Sequence, residues 1–164
     1  MVDTPALSVT ALLKERDERR RREKEANEQL QRRRKEEAAA FKRRLDEFQL
    51  TDDIVHVFLG RIRKAFDRGD TELMLTSFPS SFCTDDGRAV NNSGQPSINR
   101  TEATGDAPPW LATLPAGARQ VYDYWNRHLR PGGFRFSARI INFPDGKPGD
   151  VGLFFSWSKD IAQN

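Results

Sequence analysis

Along this chain the spacing of apolar positions changes from stretch to stretch, and each spacing predicts an element. From Ala6 to Leu59 there is no Gly or Pro. Glu, Arg, Lys, Gln and Ala, all good helix formers, fill that stretch. Between Lys14 and Glu37 the only apolar residues are Ala26 and Leu30, which predicts one long helix with no core-facing stripe. A coiled-coil seam needs apolar residues at a and d of successive heptads. The composition is coiled coil-like, but that seam is missing. Apolar spacing resumes at Phe41, Leu45 and Phe48, three positions one and two turns apart, so the last two turns are expected to dock on a folded body. At the other end Leu7, Val9, Leu12 and Leu13 form a small apolar tip, read either as a fraying end or as a partner contact.

Thr51 is a good N-cap, and Asp52 and Asp53 follow where the positive end of a helix dipole favours acids. Leu50 and Val55 occupy the two positions of a hydrophobic staple. Ile54, Val55, Phe58, Leu59, Ile62 and Phe66 then make one apolar stripe, and Gly69 supplies the stop. The pattern predicts a helix over about 52–68. A strand over 71–78, ended by Pro79, comes next. Ala118, Val121, Tyr122, Trp125 and Leu129 line one face of a helix over 116–130, halted by Pro131-Gly132-Gly133. Phe134, Phe136, Ala138 and Ile140 alternate with Arg135, Ser137 and Arg139, as a half-buried strand does. After the turn from Pro144 to Asp150, Val151, Leu153, Phe155 and Trp157 alternate again, but Phe154 makes this strand apolar on parts of both faces. A strand covered on both faces is usually central. The fold class is therefore α+β: a long charged N-terminal helix, then a small α-β-α-β-β domain. Its antiparallel three-stranded sheet has the last strand in the middle and the helices mainly on one face.

The 30 residues from Ser80 to Pro109 carry only Phe82, Val90 and Ile98 as large apolar side chains. A loop of that length is either functional or disordered, and the sparse anchors favour disorder over Asn91 to Asp106. Trp110, with Leu111 and Leu114 beside it, reads as a plug that returns the chain to the sheet. The domain division is thus 1–48 for the arm and 49–164 for the body, with a flexible loop at about 80–109.

Charge sharpens the division. The chain has 27 Lys and Arg against 24 Asp and Glu, a net of +3. Between Lys14 and Arg44, fourteen basic residues stand against eight acidic ones, so that segment carries +6 and the remainder −3. Opposite charges recur four apart, acid first: Glu15 with Arg19, Asp17 with Arg21, Glu18 with Arg22, Glu28 with Arg32. Each exposed pair contributes only about 0.2–0.5 kcal/mol, yet many together support an exposed helix. Apolar runs are a few residues long where a membrane span needs about 20, and the first residues lack the basic-then-apolar order of a secretory signal. A cytoplasmic protein with no membrane segment is expected. One cysteine, Cys83, excludes an intramolecular disulfide framework and a cysteine-based zinc site.

Candidate chemistry is thin. A nucleophilic Cys83 needs a base, but His56 falls on the polar face of its helix and His128 at the border of the apolar face of the next. Cys83 is read as a packed or exposed lone thiol. Asp85, Asp86, Asp145 and Asp150 offer oxygens to a hard cation, but none has calcium-loop spacing, and Asp beside Gly is ordinary turn composition. No Gly-rich phosphate loop follows a strand and opens a helix, so no cofactor is expected. Gly132-Gly133-Phe134-Arg135-Phe136 has the look of an RNA-recognition strand, but both aromatics share the face assigned to the core.

Phe78-Pro79, Cys83-Thr84-Asp85-Asp86-Gly87-Arg88, Tyr124-Trp125 and Phe143-Pro144 with Pro148-Gly149-Asp150-Val151 carry a resemblance to a family of small bacterial proteins without an assigned function. It covers about half of the chain and implies no activity.

Three functional readings follow: two are non-enzymatic, and the third, an enzyme, finds no candidate catalytic set, so no enzyme is expected. In the first, the body binds a protein partner or has a structural role and the arm is a solvated spacer or assembly helix. In the second, the arm binds nucleic acid through sequence-independent phosphate contacts from Arg19, Arg20, Arg21, Arg22, Arg32, Arg33, Arg34 and Lys35. Against the second stand the interleaved Glu residues and the spread of four consecutive basic residues around a helix.

Overall fold

The computed structural model describes residues 7–93 and 107–157. The chain divides into two compact units, Met1–Arg43 and Arg44–Asn164. The division falls inside the first helix, α1 (Val9–Glu47). Its last turn belongs with the second unit, because Leu45 and Phe48 lie against Gly117.

In the first unit α1 runs without interruption, as the helix-former composition predicts, and it has no buried residue. At 1.5 Å per residue its 39 residues reach about 58 Å. The four acid-first pairs do not close; Arg16 instead pairs with its neighbour Asp17 at 3.6 Å. Both side chains there are more than half exposed, so the pair adds little stability. Backbone hydrogen bonding and intrinsic propensity hold α1, rather than charge pairing.

In the second unit α2 (Asp52–Asp67) begins as expected. The Thr51 hydroxyl accepts a hydrogen bond from the Ile54 N–H. It ends with Gly69 at φ +85°, whose N–H donates to the Phe66 carbonyl while that of Asp70 donates to the Ala65 carbonyl. This is the paired closure that a left-handed residue permits after a helix. Ile62 and Ala65 are buried, but Phe66, placed in the stripe by its spacing, is 64% exposed. It sits at the helix end and meets only the edge of the core, through Trp157.

Three strands follow: β1 (Glu72–Pro79), β2 (Arg135–Ile140) and β3 (Asp150–Ser156). The sheet order is β1-β3-β2 and both pairings are antiparallel, with the last strand central as its two-sided hydrophobicity implies. Val151, Leu153 and Phe155 share one face with Phe136, Ala138 and Ile140. On β1 the register jumps from Met74↔Phe154 to Thr76↔Leu153, so Leu75 is the extra residue of a β-bulge. Strict alternation from Leu73 and Leu75 would put Ser77 inward and Phe78 outward. The bulge resets the phase, and Phe78 is 1% exposed.

Helices cover that same face. Between β1 and β2 the chain forms a 3₁₀ turn at Ser80–Phe82, α3 (Arg88–Ser93), a 3₁₀ turn at Leu111–Thr113 and α4 (Ala116–Tyr124). The helix expected over 116–130 is α-helical only to Tyr124. It continues as a π turn over Trp125–Leu129 and a 3₁₀ turn over Arg130–Gly132, and Gly133 (φ 93°) closes it. Tyr122 and Trp125 meet Phe136 at ring-centroid distances of 5.6 and 5.8 Å. Trp110 plugs the same cluster, stacked 5.8 Å from Phe136 and edge-on to Tyr122. Phe136 is therefore core, as the alternation predicts, and not a base-stacking surface.

The opposite face carries Glu72, Met74, Ser77, Arg135, Ser137 and Arg139 beside Gly152 and Phe154. A side chain at Gly152 would collide with the Phe154 ring, 2.7 Å from an ideal Cβ; the ring thus lies across the glycine. The Arg139 guanidinium covers the ring from 3.8 Å and pairs with Glu72 at 2.6 Å. This arrangement keeps Phe154 only 7% exposed on a face without a packed helix among the described residues.

Residues 80–93, expected as part of the flexible loop, are folded and anchored. The Ser80 N–H donates to the Gly149 carbonyl at 2.8 Å, and the Thr84 N–H to the Thr113 carbonyl at 2.9 Å; Val90 is fully buried. The anchors are mostly backbone groups, which explains why apolar density alone understates the order here. Of the stretch expected to be disordered, the part from 94 to 106 lies outside the described residues.

Candidate functional site

Three places hold the residues singled out by chemistry. The first is the basic arm. Arg19–Arg22 and Arg32–Lys35 lie within the uninterrupted α1, and all eight side chains are exposed. No carboxylate among the described residues lies within 4.0 Å of any of them. The helix therefore presents eight exposed cations in two groups about 20 Å apart.

The second place is the turn Cys83-Thr84-Asp85-Asp86-Gly87-Arg88. Asp85 accepts the Gly87 N–H through Oδ1 at 3.0 Å and the Ala89 N–H through Oδ2 at 2.8 Å, so its carboxylate caps α3. Asp86 (φ 56°) and Gly87 (φ 81°) are left-handed. A Cβ at Gly87 would stand 2.9 Å from that of Ser80, so glycine is required for closeness as well as conformation. Asp145 (φ 52°) is likewise a turn residue, and Asp150 accepts from the Asn142 side chain. Asp85 and Asp86 share one turn, and Asp145 and Asp150 fall within and at the end of the other, where β3 begins; no group of three potential metal ligands forms among the described residues.

Cys83 is 3% exposed. Burial, with the carboxylates of Asp85 and Asp86 adding to it, pushes the thiol up to about 11 against a smaller opposing effect of the Thr113 hydrogen bond. Neither histidine acts on it. A thiol in this setting stays protonated at neutral pH, the opposite of what nucleophilic activation requires.

The third place is an open cleft of about 430 Å³ lined by Leu50, Asp52, Val55, His56, Tyr124 and His128. It brings the two histidines of the chain to one depression, although they stand on α2 and on the π turn. The rings of Tyr124 and His128 meet with centroids 4.9 Å apart and planes tilted by 37°, a one-turn spacing visible in the sequence. The approach of His56 has no local signal. The segment beside the cleft is held by Gln120, whose Nε2 donates to the Phe48 carbonyl at 2.7 Å while Oε1 accepts the Leu50 N–H at 3.0 Å. Tyr122 faces the aromatic cluster instead, and burial raises its phenol above the usual value.

Among the described residues no helix is long and apolar enough to cross a membrane. No family model, curated protein or solved structure matches the chain.

Proposed function

We propose that this chain is a non-enzymatic interaction module, in which the small α+β unit binds a protein partner or takes a structural place in an assembly, and the arm is a solvated spacer. The observation that carries the reading is the contrast between the two units. One is a 39-residue helix without a buried residue; the other is a packed domain whose reactive groups serve its own turns and core. Asp85 caps a helix, and Cys83 is a protonated core thiol. The test compares the intact chain with a variant in which residues 19–22 and 32–35 are all Gln. Light scattering after size exclusion should give the same assembly mass for both, and the same protein partners should be retained. Loss of assembly or of every partner in the variant would move the working surface onto the arm.

A second reading, nucleic-acid binding through the arm, is favoured by one observation: the eight basic side chains have no carboxylate partner within 4.0 Å among the described residues. Contacts of this kind are sequence-independent and weaken steeply with salt.

A further inference from the structure

The cleft on the second unit gathers both histidines of the chain, His56 and His128, with Asp52, Tyr124 and the apolar Leu50 and Val55. Asp52 and His56 stand four apart on α2, so they share one side of that helix. Tyr124 and His128 meet ring to ring across the junction of α4 and the π turn. That turn is closed by the Arg130 N–H, which donates to the Trp125 carbonyl five residues back, a rare form that recurs at functional sites. The fold makes no use of the polar groups. Asp52, His56 and His128 are exposed and Tyr124 is half-buried. None of the four has a hydrogen-bond or ion-pair partner among the described residues.

Charge decides what fits. From Leu45 to Gly60, the segment that supplies one wall, the chain carries Asp46, Glu47, Asp52 and Asp53 and no Lys or Arg. The other wall adds one charge of each sign, Asp123 and Arg127. A phosphate or carboxylate drawn to the start of α2 by its dipole meets the Asp52 carboxylate there, and the Ile54 N–H is already taken by Thr51. A cation meets attraction instead. The cleft, about 430 Å³, has the volume of a small-ligand site, about 300–1,000 Å³, but it is open to solvent, which suits a side chain presented by another protein.

We infer that this cleft receives an arginine side chain of a separate protein partner, its guanidinium paired with Asp52 and laid on the Tyr124 ring; the inference rests on the reading of the second unit as a protein-binding unit. Arginine fits better than lysine, because its planar fork pairs with a carboxylate through two N–H groups and also stacks on an aromatic face. Leu50 and Val55 take the methylene stem. The imidazoles, when neutral, offer acceptor nitrogens to the N–H groups left over.

The test follows the imidazole signals of the full-length chain by NMR as a peptide is added. The chain has only two histidines and both line the cleft, so these signals read it directly. The probes are acetyl-Gly-Leu-Arg-Leu-Gly-amide and its counterparts with Lys or Glu at the centre. The arginine peptide should give saturable shifts of both signals, the lysine peptide weaker binding and the glutamate peptide none. Asp52→Asn and Tyr124→Leu should each weaken the arginine peptide about two- to fivefold, as one exposed charge pair and one exposed cation–π contact require; circular dichroism checks that both variants are folded. Unmoved signals with the arginine peptide, equal or tighter binding of the glutamate peptide, or an affinity that neither substitution changes would overturn the arginine site. Shifts that grow with protein concentration alone would put the arm of a second copy in the cleft and overturn a separate partner. If the arginine peptide fails while the Asp52→Asn protein retains the protein partners of the intact chain, the cleft falls and the protein-interaction reading stands.

Discussion

The guanidinium of Arg61, on α2, donates to the main-chain carbonyl of Met74 at 2.9 Å, on the residue before the β-bulge. Its other arm reaches the Leu75 carbonyl at 3.2 Å. A bulge leaves backbone groups without ladder partners, and here one side chain satisfies two of them and ties α2 to the strand. Replacing Arg61 with Met should cost about 1–2 kcal/mol, within the range for hydrogen bonds to a charged group discounted for partial exposure. Urea denaturation measures this directly. An unchanged midpoint would mean that water replaces the guanidinium without loss.

The amide of Gln120 joins α4 to the link between α1 and α2. Gln120→Glu removes the donor to the Phe48 carbonyl but keeps an acceptor for the Leu50 N–H, whereas Gln120→Ala removes both, so amide exchange at Leu50 should accelerate more in Gln120→Ala than in Gln120→Glu. In the native chain Leu45, beside Gly117, should exchange more slowly than Leu30. Equal rates at these two positions would contradict the docking of the last turn of α1.

Gly117 lies so close to the Leu45 carbonyl and the Phe48 side chain that a Cβ meets both. Gly117→Ala is therefore expected to destabilise the second unit by about 1–3 kcal/mol, as overpacking does, although alanine has the higher helix propensity. A stabilised variant in thermal unfolding would show that this contact yields easily.

Cys83 supplies the pH dependence. Below pH about 9 folded and unfolded chains both hold the thiol proton, and the group contributes no slope. The unfolded thiol ionises near the ordinary value of 9.0, but the folded one only near 11. Between those values the unfolded state binds fewer protons, so stability falls as pH rises. Cys83→Ala should flatten part of that alkaline loss; Tyr122, also raised, contributes the same sign at higher pH. Thiol labelling at neutral pH should be slow in the native chain and fast in denaturant.

Removing residues 1–38 should leave the second unit cooperatively folded, because its core residues begin beyond Arg44 and none of α1 is buried. A broad, non-cooperative melt of the shortened chain would show that the arm supports the fold.

The sheet order was legible because Phe154 breaks the alternation of the last strand, and a centre strand is where two apolar faces belong. The bulge was not. From Leu73 to Phe78 apolar residues occupy both parities, so no pattern marks Leu75 as the extra residue; only the paired register does. The order of Ser80–Ser93 was hidden for a different reason, since it rests on carbonyls of Gly149 and Thr113 that a sequence cannot display. At the candidate site the basic clusters were plain in the sequence, but whether they share a face depended on an unbroken helix. The meeting of His56 and His128 depended on how two distant elements pack.

The absence of buried residues from α1 frees its length. An insertion of one eleven-residue block between Arg22 and Arg32 disturbs no core contact, lengthens the helix by about 16.5 Å, and keeps the two basic clusters within about 20° of their former relative azimuth. An insertion of five residues swings them about 140° apart from it. The length of this helix is thus free to vary without cost to the core of the second unit, while the relative azimuth of its basic clusters is kept only by steps close to whole turns.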